Sequence, residues 1–354
     1  MCTALIYKDL NGNAYVGRTH EQPELFVEAL TYYPKGSKIE SSTPAGKQGA
    51  TFNTRYAFLA VTIKGLIPDT KQDTVLQGHN DQGMSFTTNV LMNTTSAETH
   101  VEDSKILAVN DLGHWVLGNF ENVAQVKQAL ESKQVAIWVP PVAVFGNVPA
   151  PAHCAIYDKS GAGLVIEILD GQVQVFDNTV GVLTNDPEFT WHLKNMNNYA
   201  HLTNVDHSDG QYNNLKVSEY HGGSALSSLP STQTSVGRFV KAAFCSNYAK
   251  KANNPKEAIL TLSHVMNNFD RFSNFSVDID DTSKPGVDSS SSEVTLITFL
   301  HDLAQNHFYM RTISAMNYTK FDINKLAVLT DQKVVQFDSI DALDGGDGTH
   351  LFIN

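Results

Sequence analysis

Charge and cysteine are both scarce in this 354-residue sequence: 18% of its residues are charged and three are cysteines. No apolar run approaches the roughly 18–20 residues that a membrane span requires, so insertion into a membrane is not expected. Lys and Arg total 25 against 37 Asp and Glu, giving a formal net charge of −12. The basic residues are not clustered. Such a chain repels phosphate backbones, and nucleic acid is not an expected partner. Cys2, Cys154 and Cys245 are too few, and odd in number, for a disulfide framework. No Cys-x-x-Cys pair offers a thiolate zinc site. The 13 histidines contain no His-Glu-x-x-His spacing, and neither Gly-x-Gly-x-x-Gly nor a phosphate loop occurs. The sequence therefore calls for no metal and no cofactor. An enzyme that works through a thiol remains open.

What is present reads as a globular chain, with 42% hydrophobic residues. Short strands are expected at 2–7, 14–17, 57–63, 84–91, 135–139, 163–168, 172–176, 293–300, 307–313 and 334–337. Helical periodicity marks 121–132, 237–249 and 255–268. Strands and helices are segregated rather than alternating, which predicts an α+β fold and not a doubly wound parallel sheet. The Pro- and Gly-rich stretch 140–151 is expected to be an exposed loop beside the site, and the polar stretch 281–292 a flexible surface loop. Neither divides the chain, and no repeat is visible. A single domain over residues 2–354 is expected.

The chain begins Met1-Cys2-Thr3. A small second residue permits removal of the initiator Met, which would leave Cys2 first. An N-terminal Cys carries a thiol nucleophile and an α-amino base of pKa ~7.7–8.0 in one residue. The alternative is a small buried hydrophobe at a strand start. Asn11-Gly12 is a hairpin turn signal, and its return strand brings Arg18 and Glu21 back towards Cys2. A guanidinium there would favour the thiolate, and a carboxylate could orient the amine. The alternative is a local surface pair of Arg18 with Glu21.

Cys2-Thr3 followed by Gly17-Arg18-Thr19-His20-Glu21 resembles the choloylglycine hydrolase family. These are the penicillin V acylases and bile salt hydrolases of the N-terminal nucleophile superfamily. Residues 153–171 (HCAIYDKSGAGLVIEILDG), 177–192 (DNTVGVLTNDPEFTWH), 227–240 (SSLPSTQTSVGRFV), 264–270 and 293–312 continue the resemblance in order. It implies a four-layer αββα sandwich, commonly a homotetramer. It also implies cleavage of a linear amide in a small acylated substrate, with Cys2 as nucleophile and its own amino group as base. Carried over to this sequence, Arg18 supports the thiolate and Glu21 binds the amine. Asn185 donates its side-chain amide to the oxyanion, Val90 supplies a backbone donor, and Arg238 adds positive charge. A bacterial protein is implied. It would be cytoplasmic as written, or periplasmic if Met1 stands in for a removed leader.

Three positions depart from the family pattern. Glu21 stands where an Asp is usual. Gln22 stands where many members carry an aromatic. Within 80–91 (NDQGMSFTTNVL), the residue expected to be polar or aromatic is Val90. Gln22 and the altered 84–91 segment favour a penicillin V acylase-like or acyl-homoserine-lactone-cleaving enzyme. A conjugated bile salt hydrolase and an inactive binding protein on the same fold are the alternatives.

Overall fold

The structure is a computed structural model that describes residues 1–22, 28–67, 70–97, 99–279 and 290–353. Its frame is two large sheets. In chain order the strands are β1 (Cys2–Lys8), β2 (Ala14–Gln22), β3 (Glu28–Tyr33), β4 (Phe58–Ile63), β5 (Thr74–Asn80), β6 (Met84–Asn89), β7 (His153–Asp158) and β8 (Gly163–Leu169). They continue with β9 (Gln172–Asp177), β10 (Val182–Leu183), β11 (Val294–Asp302), β12 (His307–Thr312), β13 (Thr319–Asp322), β14 (Lys333–Gln336) and β15 (Gly346–Asp347). The seven-stranded sheet runs β10-β1-β2-β11-β12-β13-β15, and the eight-stranded sheet runs β9-β8-β7-β6-β5-β4-β3-β14.

Helices α1 (Leu112–Asn119) and α2 (Val123–Glu131) cover the outer face of the eight-stranded sheet. A short α3 (Phe189–Asn195) follows β10. Helices α4 (Ser235–Tyr248) and α5 (Pro255–Met266) cover the outer face of the seven-stranded sheet. Leu30, Leu59, Val61, Phe299 and Phe308 fill the space between the sheets. This is the expected αββα sandwich. Both faces of β1 and β2 are therefore covered, which is why CTALIYK reads as a nearly unbroken apolar run.

Local chemistry sets the hairpin that carries Cys2. Gly12 takes φ +82° in the turn, and Asp9 Oδ1 accepts from the Asn11 and Asn13 amides. A Cβ on Gly17 would lie 2.5 Å from Met266 Sδ, so a larger residue there would displace the Met266 side chain that seats α5 on β2. Side chains cap the helices: Asn122 accepts from Gln125 N, Thr234 from Gly237 N and Asn254 from Glu257 N.

The expected helices and strands are present with ends shifted by a residue or more; β2 runs to Gln22 rather than 17. β5 and α1 escaped the sequence reading. β5 buries Gln77, His79 and Asn80, so its polar residues hide a buried strand. α1 is buried over most of its surface and shows no stripe. The stretch 140–151, expected as an exposed loop, is a short hairpin in which Pro141, Gly146, Asn147 and Val148 are exposed. Pro141–Val142 pairs with Val148–Pro149, and Val139, Val142 and Ala150 pack into the core beneath α1 and α2. Most of 281–292 lies outside the described residues.

Candidate active site

Strand register builds the site. Cys2 stands directly opposite His20, and Ala4 opposite Arg18. Side chains alternate along a strand, so Cys2, Arg18 and His20 share the face turned towards the other sheet. Thr3, Thr19 and Glu21 take the face under α4 and α5. Arg18 Nη2 lies 3.3 Å from Cys2 Sγ, and His20 Nδ1 lies 3.7 Å from the same sulfur. Burial alone would push the Cys2 thiol up. Arg18 and then His20 reverse this and bring it down to about 5.

Arg18 is fully buried. A buried guanidinium needs acceptors to offset its desolvation. β6 provides them: Arg18 Nη2 donates to Thr88 O at 2.7 Å and Nε to Asn89 Oδ1 at 3.4 Å. Asn89 Nδ2 in turn donates to Thr184 O at 2.8 Å. The guanidinium also lies over the Phe299 ring, 5.7 Å from its centroid.

The turn after β10 supplies Asn185. Its Oδ1 accepts from the Cys2 nitrogen at 2.7 Å and from Arg238 Nη2 at 2.9 Å. Its Nδ2 donates to Val90 O at 2.9 Å. An amide has two N–H donors, so one remains for another acceptor. The Asn185 backbone is held at both ends. Its N–H donates to Ser235 Oγ at 2.9 Å, and its carbonyl accepts from His192 Nε2 at 2.9 Å. His153 Nε2 donates to the preceding Thr184 O at 3.1 Å. Arg238, fully buried on α4, donates Nη1 to the Cys2 carbonyl and to Thr3 Oγ1, and Nε to Gln233 O at 3.0 Å.

Met1 is tied down at both its ammonium and its sulfur. Its ammonium donates to Glu21 O at 2.7 Å and pairs with Glu293 Oε1 at 3.3 Å. Arg271 Nη1 reaches its sulfur at 3.9 Å. The Glu21 carboxylate accepts from Thr295 Oγ1 at 3.1 Å. Burial holds that carboxyl above its usual range, with Arg238 as the opposing charge.

Four of the residues singled out from sequence thus converge: Cys2, Arg18, Asn185 and Arg238. Val90 joins them through its carbonyl oxygen. Glu21 is buried on the opposite face of the strand from Arg18 and His20. In this form the Cys2 nitrogen goes to Asn185 and not to Glu21. His20 and Glu28 were missed. Glu28, the first residue of β3 in the other sheet, places Oε1 3.4 Å from His20 Nε2. Strict alternation from Arg18 would have put His20, rather than Glu21, on the sulfur's side.

Among the described residues no helix is long and apolar enough to cross a membrane. The family model for linear amide C–N hydrolases, choloylglycine hydrolase family, matches residues 2–339. The bile salt hydrolase/transferase of Clostridium perfringens is 25% identical over 327 residues, covering 92% of this chain and 93% of that one. The conjugated bile acid hydrolase of Lactobacillus acidophilus is 30% identical over 263 residues, covering 72% and 78%. A solved variant of the conjugated bile acid hydrolase from Clostridium perfringens superposes with a TM-score of 0.77 at 25% identity, covering 95% of this chain and 97% of that one. Penicillin V acylase from Agrobacterium tumefaciens shares the fold, with a TM-score of 0.73 at 19% identity over 95% and 91% of the two chains. The chain belongs to the choloylglycine hydrolase family and is a hydrolase of linear amide C–N bonds.

Proposed function

We propose that Cys2, exposed as the first residue by loss of Met1, is the nucleophile of this hydrolase. The observation that carries this reading is the pairing of Arg18 with the Cys2 sulfur at 3.3 Å, which favours the thiolate. The thiolate adds to the amide carbonyl. The oxyanion receives the second N–H of Asn185 and a backbone donor near Val90. The C–N bond then breaks as the Cys2 α-amino group delivers a proton to the leaving nitrogen. Water, deprotonated by the same amine, cleaves the thioester and returns the sulfur as thiolate. Arg238 fixes the Cys2 carbonyl and the Asn185 oxygen, and so orients both partners.

The favoured substrates are acyl amides of the penicillin V or acyl-homoserine-lactone kind. Gln22, where many members of the family carry an aromatic, donates Nε2 to Glu28 Oε1 at 3.3 Å. A polar residue at that position suits an acyl group with an ether or keto oxygen better than a steroid. A conjugated bile salt is the second reading, supported by the activities named for the relatives. Measuring kcat/KM on phenoxymethylpenicillin, an N-acyl-homoserine lactone and glycocholate tests the choice. A higher kcat/KM for glycocholate than for both others would reverse it.

The same reading takes the assembly as a homotetramer. The hairpin Asp209–Tyr212 with Leu215–Ser218 leaves Tyr212 72% and Leu215 63% exposed, an apolar surface suited to another copy. Sedimentation equilibrium showing a monomer would remove it.

A further inference from the structure

Cys2, His20 and Glu28 form a line across the two sheets. Sγ lies 3.7 Å from His20 Nδ1, and His20 Nε2 lies 3.4 Å from Glu28 Oε1. All three residues are buried. The Glu28 carboxylate is braced by Gln22 Nε2. An N-terminal nucleophile has its own amine and requires no imidazole. A buried ring set between a sulfur and a carboxylate is the arrangement that elsewhere activates cysteine through a side-chain base. Resting on the reading of Cys2 as nucleophile, we propose that His20, backed by Glu28, takes the thiol proton and holds Cys2 as the thiolate of an ion pair.

The proton balance is simple. The S–H bond breaks and an Nδ1–H bond forms, while Nε2–H keeps Glu28 Oε1 at ion-pair distance, 3.4 Å, without a hydrogen bond. The ring keeps that proton through the cycle, because sulfur enters and leaves the thioester as thiolate. The α-amino group then enters as ammonium and alone serves the leaving nitrogen and the water. Burial disfavours the imidazolium, but the sulfur and Glu28 outweigh it and raise His20 above its usual range. Arg18, 3.5 Å from Nδ1, opposes that charge. The other charges near the sulfur are the chain terminus, and Glu21 with Arg238 on the far face. β6 meets Arg18 with neutral groups, Thr88 O and Asn89 Oδ1. The ion pair therefore spans the pH range from about 5, where the thiolate forms, up to the raised pKa of His20.

Alkylation of Cys2 by iodoacetamide against pH, followed by mass spectrometry in the intact protein, tests this without any substrate. In His20→Gln the alkylation midpoint should rise by about one pH unit or more, a tenfold loss of thiolate below it. Glu28→Gln should shift it in the same direction by less. On whichever amide is turned over, His20→Gln should lower kcat with KM little changed. An unchanged midpoint in His20→Gln would overturn the proposal, since Arg18 alone would then set the thiolate. If His20→Gln does not fold, Glu28→Gln keeps the ring and decides by the same midpoint. A normal shift with no amide hydrolysed would instead count against the substrate reading and leave the ion pair standing.

Discussion

Asn185 Oδ1 and the Cys2 nitrogen, 183 residues apart in sequence, meet at 2.7 Å. The same oxygen takes a second hydrogen bond from Arg238. An amide oxygen accepts two hydrogen bonds at most, so this one is fully committed. The Asn185 side chain is thereby fixed with its remaining N–H free for the substrate. Asn185→Ala should lower kcat by ~100–1000-fold, the worth of one oxyanion donor, and change KM little. Steady-state kinetics with circular dichroism as a folding control checks this. A kcat within about threefold of wild type would remove Asn185 from the oxyanion hole.

Met1 is paired with Glu21 O and Glu293, and its peptide bond turns the Cys2 amine into an amide. A form that retains Met1, or carries an added residue before Cys2, should have lost its activity. Mass spectrometry of each preparation, matched to its turnover, gives the comparison.

The three thiols should separate by reactivity. Cys2 is held down at about 5, whereas burial pushes Cys154 up to about 12 and also raises Cys245. Iodoacetamide at neutral pH should modify Cys2 first and abolish activity. Cys2→Ala should be folded and inactive, and Cys2→Ser nearly so. Cys154→Ala and Cys245→Ala should cost stability at most. Inactivation through Cys154 or Cys245 with Cys2 unmodified would contradict the assignment.

The pH profile follows with its sign. A thiol whose pKa is lowered is present as thiolate above about 5 and is lost as pH falls through that value. The kcat/KM profile should therefore fall about tenfold per pH unit below about 5. The alkaline limb should appear near the α-amino pKa of ~7.7–8.0, where the ammonium that protonates the leaving nitrogen disappears. An acid limb above about pH 8, that of an unassisted thiol, would deny Arg18 and His20 their effect on the sulfur.

The site was legible wherever chemistry was carried by a residue's identity and place in a motif. Cys2 followed Met1, Arg18 followed the hairpin, and Asn185 and Arg238 sat in their own segments. Pairings between sheets were not legible. Nothing local to Glu28 says that it meets His20 across the interior, because β3 joins the other sheet through register alone. Glu21 lay one residue from the position that faces the sulfur, and a shift of one residue reverses the face of a strand. Polar residues buried in β5 and the buried helix α1 removed the periodicity that a strand or helix otherwise shows.

Trapping the acyl-enzyme tests the nucleophile most directly. A substrate that acylates faster than it deacylates is mixed with the enzyme, quenched in acid and mapped by mass spectrometry. The acyl mass should appear on the N-terminal peptide that begins at Cys2, with Met1 gone. An acyl group on any other residue, or full turnover by protein that still carries Met1, would contradict Cys2 as the N-terminal nucleophile.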